Sequence, residues 1–387
     1  MADRDFLDWP FFDPSHRAWA EEVEAWAASH AAVLSVGDTD DATRALTRAM
    51  GEAGLLRRAV PVDGRLDVRA LCLARDILAR HSGLADFAFA MSGLGTGTIT
   101  LFGDAATRDA FLPAVREGRS LAAFALSEPE AGSDVAAIAT TATPDGNAHW
   151  RLDGRKTWIS NGGIAGHYVT FARTGEAPGA KGLTAFVVPA DSPGLSVEAR
   201  IEVAAPHPLA TLRYDGVRVP DAHRLGAPGD GFKVAMATLD VFRATVGAAA
   251  LGFARHGLDL MLRQADSRVI AGASLIENGQ VQAAVAESAT EVEAAALLVY
   301  RAAWLKDRGA PRVSREASMA KLHATEAAGR IADRCAQLHG GRGVVRDHPA
   351  EVLTREVRAL RVYEGASEIQ RVVIARAERA RMREGVA

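Results

Sequence analysis

The hydrophobic pattern of this 387-residue chain changes twice, and these two changes constrain its fold more than any other feature. Residues 15–120 carry apolar side chains at helical spacing, as in HRAWAEEVEAWAASHAAVL. Residues 121–225 consist of strand-like runs bounded by Gly, Pro or Asp, and the helical pattern then returns. No helical stretch separates the strand-like runs, so we expect them to pair antiparallel. The sequence predicts an α+β fold with a helical N-terminal domain (1–120), a middle antiparallel β-barrel or sandwich domain (121–228) and a helical C-terminal domain (229–387).

Three segments carry local structural predictions. HWRLDGRKTWIS places an Asp-Gly pair between two strand-forming runs, which predicts a hairpin turn. GLGTGT (93–98) lacks the spacing of a dinucleotide loop and follows a helix-like segment, so a glycine-rich helix junction is favoured over a phosphate loop. VQAAVAESATEVEAAALLVYRAAWLKDRG predicts one long helix that ends near Gly309 and Pro311.

Charge and cysteine content argue against several classes of protein. The net charge is −3 and no basic tract stands out, which argues against nucleic acids and membrane surfaces as partners. The N-terminus has no apolar signal core, and the uncharged stretch Ala244–Ala254 is too short to span a bilayer. With only Cys72 and Cys335, a disulfide framework is excluded and a reducing, cytoplasmic location is predicted. We expect neither thiol to have a histidine partner, so a cysteine nucleophile is not expected.

Two motifs in the strand-like region contain polar groups that suit a flat ring. SEPEAGSD (127–134) combines a Pro and Gly turn with hydroxyls and free backbone N–H groups, which bind an anion or the edge of a heteroaromatic ring. A plain surface turn is the alternative interpretation. GRKTWISNGG places Trp158 and Ser160 on the same face of a strand, where they can flank a ring and hydrogen-bond its edge. A core tryptophan at a capped strand end explains this motif equally well.

Two motifs near the C-terminus contain glycines that let the backbone approach a ligand. In QLHGGRGV (337–344), His339 has no second His or Cys at ligand spacing, so a metal site is not expected. In RVYEGASEIQR (361–371), Glu368 falls in the first turn of a new helix, where the helix dipole favours a carboxylate. Glu364 lies just outside that helix and precedes Gly365, so its side chain and backbone N–H can both reach one ligand.

These four motifs, in this order and at about this spacing, resemble those of the acyl-CoA dehydrogenase family of flavoproteins across nearly the whole chain. The resemblance implies a C-terminal four-helix bundle after the helical and β-domains, and usually a homotetramer. It also implies FAD as cofactor, an acyl-CoA substrate, and an electron-transferring flavoprotein as electron acceptor. The implied reaction is α,β-desaturation, in which Glu364 removes the α proton and flavin N5 accepts the β hydride. The thioester oxygen is then held by the backbone N–H of Glu364 and a ribityl hydroxyl.

The resemblance assigns roles to further residues. The residues implied to line the flavin, with Ser160 bonding near N5, are Phe124, Leu126, Ser127, Trp158 and Ser160. Those implied to hold the pyrophosphate and adenosine side of a neighbouring subunit's FAD are Arg268, Gln337, Gly340 and Gly341, while Ser367 and Glu368 lie beside the FAD. Those implied to contact substrate are Ser133 at the CoA portion, Asp240 and Arg243 at the pantetheine arm, and the backbone at Gly365.

The chain departs from the family pattern at a few positions. Ala271 replaces an aromatic residue in RVIAG, Ala366 replaces a threonine, and Glu130 replaces a common glycine. Some relatives carry the catalytic glutamate at the position that Phe242 occupies here, which leaves Glu364 as the expected base. The alternative functions are those of an acyl-CoA oxidase, a flavin monooxygenase or a non-catalytic flavoprotein that binds nucleic acid. Short, branched, alicyclic and aromatic acyl groups are all compatible with the sequence.

Overall fold

The computed structural model describes residues 5–385, and the first part of the chain is helical. A 3₁₀ turn (Asp5–Asp8) precedes the first helix, and a π-helical turn (Ala27–Ala31) follows it. Aspartate side chains accept the first free N–H groups of three helices, as Asp38 does from Asp40 and Asp41. The helices are α1 (Pro14–Trp26), α2 (Ala32–Leu34), α3 (Thr39–Glu52), α4 (Leu56–Ala59), α5 (Val68–His81), α6 (Gly83–Phe102) and α7 (Ala105–Arg116).

The middle of the chain forms a single eight-stranded sheet with the order β6-β7-β3-β2-β4-β5-β8, to which β1 is added beside β4. Most neighbouring strands are antiparallel, as predicted, but β1 and β2 both pair parallel with β4. The sheet surrounds a core of buried side chains that includes Leu152, Phe186 and Tyr214. The strands are β1 (Ala122–Ala125), β2 (Thr141–Asp145), β3 (His149–Ser160), β4 (His167–Arg173), β5 (Leu183–Pro189), β6 (Leu195–Ile201), β7 (Leu209–Pro220) and β8 (Arg224–Leu225).

The predicted hairpin in HWRLDGRKTWIS is wrong, because β3 runs through this segment without a turn. The Asp-Gly pair instead lies at a break in register between Leu152 and Gly154, opposite β7. A Cβ on Gly154 would lie 2.7 Å from the Cα of Thr140, so this position needs a glycine to let the chains approach. Asp153 accepts a hydrogen bond from the N–H of Gly216 at 2.8 Å, which fixes the bulge.

The predicted helix junction at GLGTGT is also wrong, because these residues lie inside α6. A Cβ on Gly95 would lie 2.6 Å from the backbone carbon of Ala122. The glycine therefore lets α6 pack directly against β1, which explains why a helix interior tolerates it. The segment is not a phosphate-binding loop.

The C-terminal part of the chain is helical, and α9 confirms the predicted long helix. Its helix α8 contains an 18-residue window with a mean hydropathy of 1.4, so by length and composition it could cross a membrane. The apolar stretch is therefore longer than Ala244–Ala254, the segment considered from the sequence. However, 83% of this window is buried, as in the core helix of a globular protein. The elements are α8 (Gly231–Ser267), β9 (Val269–Ile270), β10 (Ala273–Ser274), α9 (Gly279–Asp307), α10 (Ser314–His339), α11 (Pro349–Leu360) and α12 (Ser367–Arg383).

The chain divides into two compact units that are discontinuous in sequence. The first contains the residues up to Ala32, Asp67–Asp86 and the residues from Asp240 onward. The second contains Val33–Leu66 and Phe87–Leu239, and therefore the whole eight-stranded sheet. The chain passes between the units at four points, two of which lie inside α6 and α8.

Candidate active site

In the second unit, a buried lysine joins the two motifs that were predicted to line a flat ring. Lys156, on β3, is fully buried, and its Nζ donates to the carbonyl of Leu126 at 3.0 Å and to Glu128 Oε1 at 2.7 Å. Glu128 also accepts from the backbone N–H groups of residues 139 and 140. The N–H of Thr157 donates to the carbonyl of Ser127 at 2.9 Å. We call residues 124–128 and 156–161 the ring cradle.

The charges of this buried pair stabilise each other. Burial lowers the pKa of Lys156 to about 8, although Glu128 opposes this shift. Burial raises the pKa of Glu128, but Lys156 and the backbone donors outweigh it, so the pKa lies below its usual value. The carboxylate and ammonium are therefore both charged near neutral pH, and they fix the separation of the two motifs.

A bulge in β3 turns Trp158 outward. The register of β3 against β7 shifts between Lys156 and Ile159, and Trp158 has a φ of +59°. Its side chain is left 59% exposed, whereas Ile159 beside it is buried. A positive φ is unfavourable for a tryptophan and costs on the order of 1–3 kcal/mol, and such strain concentrates at functional sites. The core-tryptophan interpretation is therefore excluded.

The other predicted members of the cradle differ in their exposure. Phe124 and Ser160 are partly exposed, Leu126 is buried and Ser127 is half-buried. Asn161 also has a φ of +59°, and its Nδ2 donates to the carbonyl of Ala122 at 2.9 Å. Its Oδ1 is buried and accepts no described hydrogen bond. An exposed indole on a strained backbone suits contact with a flat heteroaromatic group such as a flavin.

In the first unit, Glu364 lies in a strained turn between α11 and α12, which we call the Glu364 turn (residues 361–366). Glu364 has a φ of +52° and Gly365 a φ of +90°. The buried Lys321 of α10 donates to the carbonyls of Tyr363 and Gly365, both at 2.6 Å. Gln370 donates to the carbonyl of Gly365 at 2.8 Å, and a Cβ on Gly365 would lie 2.6 Å from that Nε2. Glycine is therefore required here for its conformation and for space.

The environment of Glu364 suits a proton acceptor. Burial raises its pKa above the usual value for a glutamate, although the positive charges of Arg75, Lys321 and Arg243 oppose the shift. Its Oε2 is a buried atom with no described hydrogen-bond partner. A raised pKa and an unoccupied carboxylate oxygen are what a general base in a low-dielectric site needs.

An ion pair that the sequence analysis did not identify contributes to this environment. The guanidinium of Arg75 on α5 binds both oxygens of Asp86 on α6, at 2.8 and 2.7 Å, and donates to the hydroxyl of Thr245 at 3.2 Å. Both charged residues are buried. The sequence signal that could have identified them is an isolated charge within an apolar run, as in LCLARDILAR for Arg75 and GLADFAFAM for Asp86. Lys321 gives the same signal as a lone lysine in ASMAKLHATEAAG.

The other predicted site residues of the first unit fall into three groups. Asp240 accepts from Arg243 at 2.9 Å and from the hydroxyl of Ser314, and the Nε of the buried Arg243 has no described partner. The hydroxyl of Ser367 donates to Glu326 at 2.6 Å, while Glu368 lies exposed in the first turn of α12, as predicted. The residues predicted to bind the pyrophosphate and adenosine side of FAD are all exposed. They are Arg268, Gln337, Gly340 and Gly341.

The two exposed glycines suit a ligand that approaches the backbone. Gly340 has a φ of +58°, and a Cβ on Gly340 or Gly341 would meet no described atom within 4 Å. In the second unit, Ser133 is likewise exposed in its turn. The roles of all these residues stay predictions.

One expectation about cysteine and histidine needs correction. Cys335 Sγ lies 3.8 Å from His339 Nδ1, one helical turn away, and the His339 ring packs against His348. Burial raises the pKa of the Cys335 thiol to about 12, so the thiol is still not a nucleophile. Within residues 5–385, no group of three or more His, Cys, Asp or Glu side chains is placed to hold a metal. Both cysteines are free and buried.

The chain matches three family models that together cover most of its length. These describe the acyl-CoA dehydrogenase N-terminal domain (residues 13–119), middle domain (123–217) and C-terminal domain (229–378). The mitochondrial short-chain specific acyl-CoA dehydrogenase of Mus musculus is 39% identical over 338 residues, 86% of this chain and 81% of that protein. The cyclohexane-1-carbonyl-CoA dehydrogenase of Geobacter metallireducens is 40% identical over 309 residues, 79% of this chain and 80% of that protein.

Solved structures show the same similarity. Butyryl-CoA dehydrogenase from Megasphaera elsdenii superposes with a TM-score of 0.89 at 28% identity, covering 95% of this chain and 98% of that one. A chain from the study of the electron-transferring flavoprotein of Acidaminococcus fermentans gives 0.89 at 32% identity with the same coverage. A glutaryl-CoA dehydrogenase from Mycobacterium smegmatis in complex with FADH2 gives 0.87 at 25%, covering 97% and 96%. The chain therefore belongs to the acyl-CoA dehydrogenase family and is an FAD-dependent oxidoreductase.

Proposed function

We propose that this enzyme desaturates an acyl-CoA thioester between its α and β carbons, with Glu364 as the base that removes the α proton. The observation that carries this proposal is the Glu364 turn, where a carboxylate with a raised pKa and a buried, unbonded oxygen stands beside a glycine. An α C–H next to a thioester is a very weak acid. A carboxylate with a raised pKa therefore matches that proton better than an ordinary solvated glutamate does.

The backbone of the turn supports the same chemistry. When the α proton leaves, negative charge develops on the thioester oxygen and needs a hydrogen-bond donor, which is worth about 3 kcal/mol in such sites. No hydrogen bond described within residues 5–385 uses the N–H of Glu364, so this donor is available. Phe242, where some relatives carry the base, is buried and has no proton acceptor, so Glu364 acts alone.

FAD, when bound, supplies the acceptor for the β hydride. We propose that the residues of the ring cradle hold the flavin ring, with Trp158 packing on it and Ser160 donating to its edge. Arg268, Gln337 and the backbone at Gly340 and Gly341 would bind the pyrophosphate and adenosine side, with Ser367 and Glu368 nearby. A guanidinium and open glycine backbone are suited to phosphate oxygens.

We further propose that Ser133, Asp240 and Arg243 bind the CoA portion of the substrate, and that the enzyme works in the cytoplasm as a homotetramer. Its electrons would pass to an electron-transferring flavoprotein. The free, buried cysteines support a reducing compartment. Two of the similar proteins are named for a short-chain and an alicyclic acyl group, so butanoyl-CoA and cyclohexanecarbonyl-CoA are the first substrates to try.

The test is anaerobic stopped-flow reduction of the bound flavin, first with a panel of acyl-CoA thioesters and then with Glu364→Gln. We expect Glu364→Gln to keep its FAD and bind substrate, but to reduce its flavin roughly 10²–10⁴-fold more slowly, because the proton acceptor is lost. Glu21→Gln is the control, since Glu21 is an exposed glutamate of α1 with no predicted role at the site. Reduction of Glu364→Gln within a few-fold of wild type would refute the assignment, and rapid reoxidation by oxygen would favour an acyl-CoA oxidase.

A further inference from the structure

We propose that Lys321 is a positioning residue that orients the peptide bond between Tyr363 and Glu364, so that the N–H of Glu364 faces the thioester oxygen. This inference rests on the proposed function and adds a residue to it. It starts from a lysine that is 1% exposed and that the desaturation chemistry itself does not use.

The argument begins with the geometry of a peptide group. In a trans peptide the C=O and the following N–H point in opposite directions within one plane. The carbonyl of Tyr363 and the N–H of Glu364 belong to the same peptide. Because Lys321 Nζ binds that carbonyl at 2.6 Å, the N–H of Glu364 must point away from Lys321.

The same ammonium fixes the turn on its other side. Lys321 Nζ also binds the carbonyl of Gly365 at 2.6 Å, so one charged group holds the peptide before Glu364 and the peptide after Gly365. Glu364 has a φ of +52°, which a glutamate adopts only when its surroundings impose it. Lys321 supplies a large part of that restraint, together with Gln370.

Two further observations indicate that the restraint serves a ligand. The N–H of Glu364 makes no described hydrogen bond within residues 5–385, although the carbonyls around it are bonded. A cation on the carbonyl also polarises the peptide, which makes its N–H a stronger donor. Lys321 does not bind the carboxylate of Glu364 in the described contacts, so its direct contact is with the backbone.

A purely structural lysine and a positioning lysine predict different results for two ligands that differ only at the thioester carbonyl. Butanoyl-CoA has this carbonyl, whereas S-butyl-CoA has a CH₂ in its place and cannot accept a hydrogen bond. Both are measured by calorimetry on FAD-loaded Glu364→Gln, which is expected to oxidise the thioester only slowly. The measurement is made with and without Lys321→Met. We expect Lys321→Met to lower the affinity for butanoyl-CoA about tenfold, as for a lost hydrogen bond. The affinity for S-butyl-CoA should fall less than twofold.

Thr325→Val is the matched control, because Thr325 is buried one turn further along the same face of α10 and its hydroxyl bonds only within the helix. It should change neither affinity. Flavin reduction in the single variant Lys321→Met should fall roughly 10²–10³-fold, the loss typical of an oxyanion donor.

The outcomes separate this proposal from the proposed function. Equal losses for both ligands, or no loss for either, would overturn the role of Lys321 while Glu364→Gln remained slow. If Glu364→Gln reduces its flavin at the wild-type rate, the proposed function fails, whatever Lys321→Met does. Loss of FAD from Lys321→Met but not from Thr325→Val would show that Lys321 maintains the fold of the site as a whole, and would also overturn the proposal.

Discussion

The ring cradle and the Glu364 turn are both built around a buried lysine that donates to main-chain carbonyls. They differ in whether the lysine also forms a direct ion pair with a carboxylate. Lys156 binds one carbonyl and the carboxylate of Glu128, which is itself bonded to two backbone N–H groups. Lys321 binds two carbonyls, and the nearby carboxylate of Glu364 acts on it through space. Burial lowers the pKa of both lysines to about 8.

This difference predicts that Lys156 mainly stabilises the fold and that Lys321 mainly serves the proposed reaction. The charge of Lys156 is neutralised by a neighbouring partner, so the pair holds two chain segments together and leaves no charge for a ligand. The charge of Lys321 is only partly balanced by Glu364, whose ionisation changes during the proposed reaction. We therefore expect substitutions of Lys156 to affect mainly stability and substitutions of Lys321 to affect mainly catalysis.

The largest stability effect should come from Lys156→Met. This change leaves the carboxylate of Glu128 buried without its cation, and breaking a buried ion pair in this way costs about 3–5 kcal/mol. Lys321→Met strands no bonded carboxylate, so we expect a smaller loss of about 1–2 kcal/mol from its two hydrogen bonds. Urea denaturation followed by circular dichroism measures both. A larger loss for Lys321→Met than for Lys156→Met would contradict the comparison.

A smaller effect should follow when both members of the pair are neutralised. In Lys156→Met with Glu128→Gln, no buried charge is stranded. The amide oxygen can still accept from one of the backbone N–H groups of residues 139 and 140, which in the wild type bond to different carboxylate oxygens. We expect this double variant to be at least about 1 kcal/mol more stable than Lys156→Met alone. Additive losses in a double-mutant cycle would show that the two charges do not depend on each other.

Stability should also depend on pH. The pKa of Lys321 is about 8 in the folded protein, against 10.5 for an ordinary lysine. Between these values the unfolded chain binds more protons, so the contribution of Lys321 to the free energy of unfolding rises with pH. We expect the stability of wild type relative to Lys321→Met to increase from pH 8 to 10. A flat difference over this range would mean that Lys321 titrates normally.

The sequence predicted the elements whose signals are local. The sequence correctly predicted α9, the order of helical and strand regions, and a helix with Glu368 in its first turn. Trp158 was identified as a candidate ring contact because its motif has a recognisable spacing. Whether it was a core residue could not be decided, because a bulge in register against β7 determines its exposure.

The features that the sequence did not reveal depend on contacts between distant segments. The Asp-Gly pair of β3 is an ordinary turn signal until β7 places Gly216 against Asp153. The glycines of α6 suggest a break until β1 packs on Gly95. Lys321 lies 43 residues before Glu364, and its role follows only from the carbonyls that the fold brings to its Nζ.

The discontinuity of the first unit has a consequence during synthesis on the ribosome. Arg75 and Asp86 leave the ribosome roughly 280 residues before Glu364, which at about 5–20 residues per second is a delay of roughly 15–60 s. For most of this time α5 cannot pack against α9, its neighbour in the finished unit, because α9 is complete only at Asp307. The apolar face of α5 therefore stays exposed, where chaperones can bind it or it can aggregate. We expect slow translation after the sheet to lower the yield of folded enzyme more than it lowers the stability of the enzyme that has folded.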